Sequence, residues 1–467
     1  MKYQSYLLIT ILLSMACTPS KEPITITFTG DFILARGVAD EMRLYRDSML
    51  TKSVAPFLDG DFQVINLETV LTDHDAGKKK QYLLKGDPKK AQYLVDVTHA
   101  SLANNHSHDY GDQGYLDTQE ALQANGIVAL GTSCEPAVLR KNGQQVAILA
   151  ASLTTDNNHL CIQDTVQLKK AVSEFNQSHP GIPLIAYLHW GLEYQQTPEQ
   201  WQVVLARQLI DLGADAIIGH HPHVVQTVEL YQHKPILYSL GNFVADAYLP
   251  MTTAGAVAQV TILGDSVHAG VQPVDLTTYF PQKMTAFYEI KFLNRNLRYT
   301  SGIGYYQSGN QWFVKEIADI DFTENASEWL FPYDDRHSVL LSRLSNGKIK
   351  LSILKDGTPG PPTMLHGQLS EIEFADITND GQTELLLGIA KKVNYDQRYK
   401  KRLNVFRIEN GRLKVVWLGT KFLNELENFS VRKDAQMFYL HTREIDSVGN
   451  SYSRRYQWDQ FGFALIE

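Results

Sequence analysis

Between residues 24 and 243 the chain alternates short apolar, β-branched runs with stretches of helical spacing. "ITITFTGD" (24–31), "FQVINLE" (62–68), "THASLANNH" (98–106), "QQVAILAAS" (144–152), "PLIAYLHWG" (183–191), "ADAIIGHH" (214–221) and "KPILYSLGNF" (234–243) read as strands. "GYLDTQEALQANG" (114–126) reads as a helix closed by Gly126. "TPEQWQVVLARQLIDLG" (197–213) reads as a second helix. Thr197 is its expected cap, with Pro198 in the first turn, Gln200 completing a capping box and Gly213 ending it. Strand and helix alternating over such a length predict a layered α/β domain.

The polar residues share one placement. Asp31, Glu68, Asn105, His106, His189, His221 and Asn242 are each expected at or just past the C-terminal end of a strand. In α/β sheets that edge is where ligands bind. "IIGHHPHVVQ" (217–226) sharpens the point, because three of the chain's 15 histidines fall within four positions. His221-Pro222-His223 holds two imidazoles on a stiff loop beside a strand end. Imidazole is the commonest metal ligand, and hard divalent metals add carboxylate or amide oxygens. Asp31, Glu68 and Asn105 offer those oxygens and His189 another ring nitrogen, so one or two ions are expected at this edge.

At 467 residues the chain exceeds one ordinary compact domain, and two or three are expected. Hydrophobic residues at 44% supply ample core. The net charge of −8 argues against nucleic acid as a partner, as does the lack of a Lys/Arg run interleaved with aromatics. "GKKK" (77–80) reads as a solvated loop. At the N-terminus, Lys2 precedes an apolar run from Tyr6 to Met15 that is too short for a stable bilayer span. This is the pattern of a secretory signal. "LSMAC" resembles a bacterial lipobox, which would make Cys17 the lipidated first residue and tether the mature protein to a membrane. Ser14 departs from that pattern, and cleavage nearby as an ordinary signal peptide is the alternative. Of the three cysteines, Cys134 and Cys161 remain, either as a disulfide permitted by export or as two buried thiols.

The α/β texture fades near Pro281. Residues 286–317 alternate like a β-hairpin, and from about Asp335 short strands and turns take over. The expected division is a signal and linker at 1–23, an α/β domain at 24–283, a β-hairpin connector at 284–334 and an all-β domain at 335–467. "LSNGKIKLSIL" and "IENGRLKVVWL" look like two copies of one hairpin turning at Asn-Gly, which suggests propeller-like blades too few to close a ring.

"TFTGDFILARGV", "FQVINLE", "LANNHSHDYGDQG", "YLHWGLEY", "DLGADAIIGHHPHVVQ" and "ILYSLGNFVAD", in this order, resemble the bacterial CapA family, the poly-γ-glutamate capsule biosynthesis proteins A. The resemblance covers roughly residues 24–280. That family is related to the calcineurin-like metallophosphoesterases, so the resemblance implies a four-layer αββα sandwich with two sheets between helices. It implies Asp31, Glu68, Asn105, His189, His221 and His223 as ligands of two divalent ions, Mn, Fe or Zn. It implies His106 as a proton donor to a leaving oxygen and Asp109 as the residue that orients it. Arg36, Glu193 and Asn242 are expected at the substrate. His220 is expected at the substrate or behind the ligands, with a backbone hydrogen bond in the loop as its simpler role.

Two departures stand out. Ile33 occupies the place of the first-motif histidine of the phosphoesterases, and "NLE" replaces their usual Gly-Asp-x-x-Asp. The resemblance therefore leaves two functions open: a lipid-anchored, metal-dependent hydrolase of phosphoester or related bonds in capsule assembly, or a non-catalytic lipoprotein that binds an exported anionic polymer beside other capsule-assembly proteins. A secreted phosphatase unrelated to polymers is a third. In the C-terminal region "DITNDGQTEL" (376–385) looks like the short Ca²⁺ loops of FG-GAP and VCBS-type repeats, with Asp376, Thr378, Asp380 and Glu384 as candidate ligands; an Asx-rich turn is the alternative.

Overall fold

The computed structural model describes residues 22–45, 48–154, 160–264, 266–296, 303–323, 326–334, 336–393, 396–419, 422–460 and 462–466. Cys17 and the expected signal lie outside the described residues.

Two sheets stack face to face. In the first, strand Ile24–Phe32 lies parallel to Phe62–Leu67, which is followed in order by His99–Ser101 and Val128–Leu130. On its other side Ile24–Phe32 pairs antiparallel with Ala254–Leu263, itself paired with Ser266–Asp275. The second sheet has four parallel strands, Gln144–Ser152, Leu184–His189, Ala216–His220 and Lys234–Leu237, flanked by antiparallel Ala137–Lys141 and Val228–Tyr231.

Each sheet is covered on both faces. Ile24, Ile26, Phe28 and Val64 meet Val146, Ile148, Ile185, Tyr187 and Ile218 between the sheets. Outside the first sheet, Ile65, Leu67 and Ala100 pack on Val38, Met42, Leu50 and Leu122 of helices Arg36–Tyr45, Ser48–Val54 and Gly111–Ala124. Outside the second, Leu184, Ala186, Leu188 and Ile217 pack on Leu168, Val172, Leu205 and Leu209 of helices Thr165–Ser178 and Gln200–Asp211. The layered α/β expectation holds, in the order helix, sheet, sheet, helix. Strands buried on both faces read as near-continuous apolar runs, which is why they were legible.

Four local expectations need correction. The helix expected to be capped by Thr197 starts at Gln200, with Glu199 as its cap and Gln202 completing the capping box. Thr197 lies two residues before that cap, where its carbonyl accepts from Gln226 Nε2. "KPILYSLGNF" is two strands: Lys234–Leu237 stays in the second sheet, and Asn242–Val244 crosses to the first, parallel to Ile24–Phe32. Gly241, at a φ of +66°, makes that turn. Asn242 therefore opens a strand and does not end one. Residues Ala286–Asn296 form a helix, not a hairpin arm, because Glu289, Ile290 and Leu293 meet the protein at helical spacing while Tyr288 stays exposed.

The hairpin itself is Ile303–Ser308 with Gln311–Glu316. It carries the first sheet onward through Glu328–Pro332, His337–Arg343 and Ile349–Lys355. Two four-stranded antiparallel sheets follow, built from 368–418 and 425–465, and among the described residues none of the sheets closes on itself. Cys134 and Cys161 are joined as a disulfide, with their Cα atoms 5.3 Å apart. No described helix is long and apolar enough to cross a membrane.

Candidate metal centre

Register brings the polar strand ends together. Asp31 stands opposite Asn66 across the first sheet, and His189 opposite His220 across the second. Both parallel sets end at the same crevice between the sheets. Close backbone approach makes this possible: a Cβ on Gly30 would strike the carbonyl of Gly241, and one on Gly219 the carbonyl of Tyr238. The histidine loop is strained as well. His221 and His223 hold φ values of +99° and +58°, a conformation that L-residues adopt only when their surroundings impose it.

Asp31 is fully buried and accepts from Asn66 Nδ2 at 2.9 Å and from the His221 backbone N–H at 3.2 Å. His223 Nδ1 lies 3.0 Å from its Oδ2. Glu68 is also fully buried, yet neither carboxylate oxygen has a hydrogen-bond partner. Two imidazoles face it, with His106 Nε2 and His189 Nε2 each 3.8 Å from Oε1. Asn105 Oδ1 lies 2.8 Å from His189 Nε2. His221 Nδ1 is buried and unpartnered. Two triplets, Glu68 with His189 and His221, and Asp31 with Glu68 and His223, each place their ligand atoms within 4.8 Å of one another. Buried lone pairs left without donors carry a full desolvation cost unless a cation or water meets them. This mixed oxygen and nitrogen donor set fits divalent metal.

Electrostatics agree. Burial pushes the Asp31 carboxyl up, but the imidazoles of His223, His220 and His221 outweigh it and bring it to about 2. Glu68 is held well above the usual carboxylate range by burial and by the Asp31 charge. Burial lowers His221 to about 3 and His220 to about 4, and takes His189 well down. Burial also opposes charge on His223, yet Glu68 and Asp31 hold its imidazolium to about 10. The cluster thus keeps His189, His220 and His221 neutral and ready to ligate, and holds a proton on His223 beside the two carboxylates, which a cation would displace.

His106 stands at the mouth. Its Nδ1 lies 2.6 Å from Asp109 Oδ2, and Asp109 also accepts from the Leu84 N–H. Burial lowers the His106 pKa, partly offset by Asp109. A cleft of about 80 Å³ is lined by His106, His223, Arg36, Glu193 and Asn242, so three of the four expected substrate residues meet there. Arg36 is paired with Asp246 at 2.6 Å, and Asn242 Oδ1 accepts from His223 Nδ1 at 2.9 Å. His220, the fourth, is fully buried and absent from the cleft lining. Its Nδ1 lies 2.7 Å from His189 Nδ1, and its ring packs on Tyr187 behind the ligands.

Sequence reasoning missed several residues. Asn66 bridges Asp31 and Asn104, and Asn104 Nδ2 in turn donates to Asn66 Oδ1 at 3.1 Å. Both belong to the motifs that carry Glu68 and Asn105-His106, and a lone amide beside such residues has no sequence signal of its own. Lys80, expected in a solvated loop, reaches the Asn105 carbonyl at 2.9 Å and Asp109 at 3.3 Å. Ile33 is apolar packing with Ala35, Leu84 and Ala245. The expected Ca²⁺ loop holds a different cation: Arg407 reaches Glu384 Oε1 at 2.8 Å, Thr378 Oγ1 at 3.0 Å and Asp380 at 3.0 Å, while Asp376 accepts from the Asp380 and Gly381 N–H groups. The guanidinium supplies the charge that calcium was expected to bring.

Comparison with known proteins gives a consistent picture. Residues 25–247 match the family described as bacterial capsule synthesis protein PGA_cap. The chain is 30% identical over 279 residues to the PGA biosynthesis protein CapA of Bacillus subtilis, covering 56% of this chain and 73% of that one. It is 29% identical over 289 residues to the capsule biosynthesis protein CapA of Bacillus anthracis, covering 57% and 70%.

Proposed function

The chain belongs to the CapA family of bacterial capsule synthesis proteins, and from that premise we propose that it is an exported, metal-dependent hydrolase acting in the synthesis of a poly-γ-glutamate-like anionic polymer. The bond it cleaves is a phosphoester or a related one, within a metallophosphoesterase-type sandwich. A lipid on Cys17 tethers it to the cell envelope, where other capsule-assembly proteins are its neighbours. The observation that carries the reading is Glu68, a fully buried carboxylate with both oxygens unpartnered and four imidazoles, those of His106, His189, His221 and His223, around it.

Asp31, Glu68, Asn105, His189, His221 and His223 would hold the metal. Divalent ions there would supply Lewis-acid activation and charge neutralisation. The chain's own residues do the rest. Asp109, accepting only, fixes the proton of neutral His106 on Nδ1 and turns Nε2 toward the cleft. His106 is therefore placed to take a proton at Nε2 and pass it to a leaving oxygen. Arg36, steadied by Asp246, presents positive charge at the cleft rim to an anionic substrate.

Metal analysis of the full chain beside His221→Ala tests this. Two ions per chain, lost in the variant, together with turnover of simple phosphoesters, support the hydrolase. The apolar packing of Ile33 favours a second reading, a polymer-binding protein without turnover. One ion or none, with polymer still bound and no phosphoester cleaved, decides for it.

A further inference from the structure

Residues 381–467 carry 15 Lys and Arg against 10 Asp and Glu, a net of +5, whereas residues 1–380 carry 28 against 41, a net of −13. This basic segment lies outside the family-matched residues 25–247. Its charge is concentrated on two neighbouring strands: Lys391 and Lys392 close Glu384–Val393, and Arg398, Lys400, Lys401 and Arg402 open Asp396–Glu409. Register sets Lys391 directly opposite Lys400, with Arg402 two positions along on the same face. Like charges opposite one another destabilise a sheet. Burial and the Arg402 charge hold the Lys391 ammonium below its ordinary range. Lys391 Nζ is met by Asn404 Oδ1 at 2.9 Å, and the crowding that remains between Lys400 and Arg402 suits an anion.

There is a place to receive one. Arg398, Lys400, Lys401 and Arg402 line a cleft of about 540 Å³ whose apolar lining includes Phe422 and Leu423. Lys400 pairs with Glu425 at 2.9 Å and Lys401 with Glu371 at 2.7 Å. Asp446, the other acid at the cleft, is occupied by the Val448 and Asn450 N–H groups of its own turn. The cationic residues outnumber the acids that line it.

We infer that this cleft binds a stretch of linear polycarboxylate, which assigns the C-terminal sheets to holding the polymer while the metal centre acts; the inference rests on the function proposed above. Exposed charge pairs are individually weak, and a repeating anion engages several at once, so affinity comes from multiplicity. The apolar lining suits the methylene groups between carboxylates. Nucleic acid is a poorer match, because stacking successive bases needs several rings among the cations, whereas Phe422 is the single ring of the cleft lining and Tyr399 lines a separate cleft beside Arg343.

Titrating fluorescently labelled poly-γ-glutamate into the full chain tests the assignment. Saturable binding that weakens between low and about 0.15 M salt is expected. Arg398→Glu with Lys400→Glu should weaken it at least about tenfold, and the charge-keeping Arg398→Lys with Lys400→Arg should retain it. If the reversed pair does not fold, Arg398→Gln alone should still weaken binding several fold. His221→Ala should bind polymer like the parent, so failure of the metal centre and failure of this cleft read out separately. Undiminished binding in a folded charge-reversed variant overturns the inference. So does loss of binding in His221→Ala alone, or a DNA oligonucleotide that displaces the polymer at equal charge concentration.

Discussion

The imidazole of His106 and the carboxylate of Asp109 lie 2.6 Å apart, three residues apart in sequence, at the mouth of the metal centre. Asp109 touches none of the candidate ligands through its side chain; its other partners are the Leu84 N–H and Lys80. Its work is to set which nitrogen of His106 faces the cleft. Asp109→Asn should therefore leave metal content unchanged and lower turnover about 10–100-fold. Metal analysis and steady-state rates on the same preparation check this. Loss of metal would instead make Asp109 a support of the whole loop.

Glu68 is the residue through which metal and stability meet. Glu68→Gln keeps the size and removes a buried carboxyl that burial and the Asp31 charge hold well above its usual range. The metal-free variant should melt at or above the parent temperature. Added Mn²⁺ or Zn²⁺ at about 100 times its Kd should stabilise the parent by about 2.7 kcal/mol, and the variant far less. Equal metal-induced shifts in both proteins would remove Glu68 from the ligand set.

Gly30 is required by close approach, since its added Cβ would meet the Gly241 backbone, which cannot swing aside as a side chain can. Gly30→Ala should cost about 1–3 kcal/mol in urea unfolding. It should also weaken metal binding, because Asp31 N–H donates to that same Gly241 carbonyl at 2.9 Å. A stable, metal-competent variant would show that the crossover relaxes freely.

Glu373 supplies a pH test away from the centre. Burial pushes its carboxyl from the ordinary 4.5 up to about 7, against the Val431 N–H that bonds it. A raised folded pKa means that the folded state holds the proton more tightly. The stability this gives is complete below pH 4.5 and is lost as pH rises through 7. The change is about 2–3 kcal/mol. Glu373→Gln still accepts from Val431 and does not titrate. It should exceed the parent in stability at pH 8 and match it at pH 4, as urea melts at the two values would reveal. No difference at pH 8 would mean that the carboxylate is solvated.

What the sequence determined is local and periodic. The apolar runs had to be buried on both faces, and that alone dictated layered sheets with helices outside. The Gly-Asp, Asn-Asn-His and His-His-Pro-His stretches placed their polar residues at or past strand ends, because the apolar run stops there, although these residues stay buried. Tertiary structure decided everything that depends on register or on a partner far along the chain. It put Asp31 beside Asn66 and His189 beside His220, sent Asn242 across to the other sheet, and hid His220 behind the ligands. It joined Cys134 to Cys161 and placed Arg407 where calcium was expected. Sequence pattern records how each segment is solvated, whereas hydrogen bonds and charge pairs form between segments whose alignment only the packed core fixes.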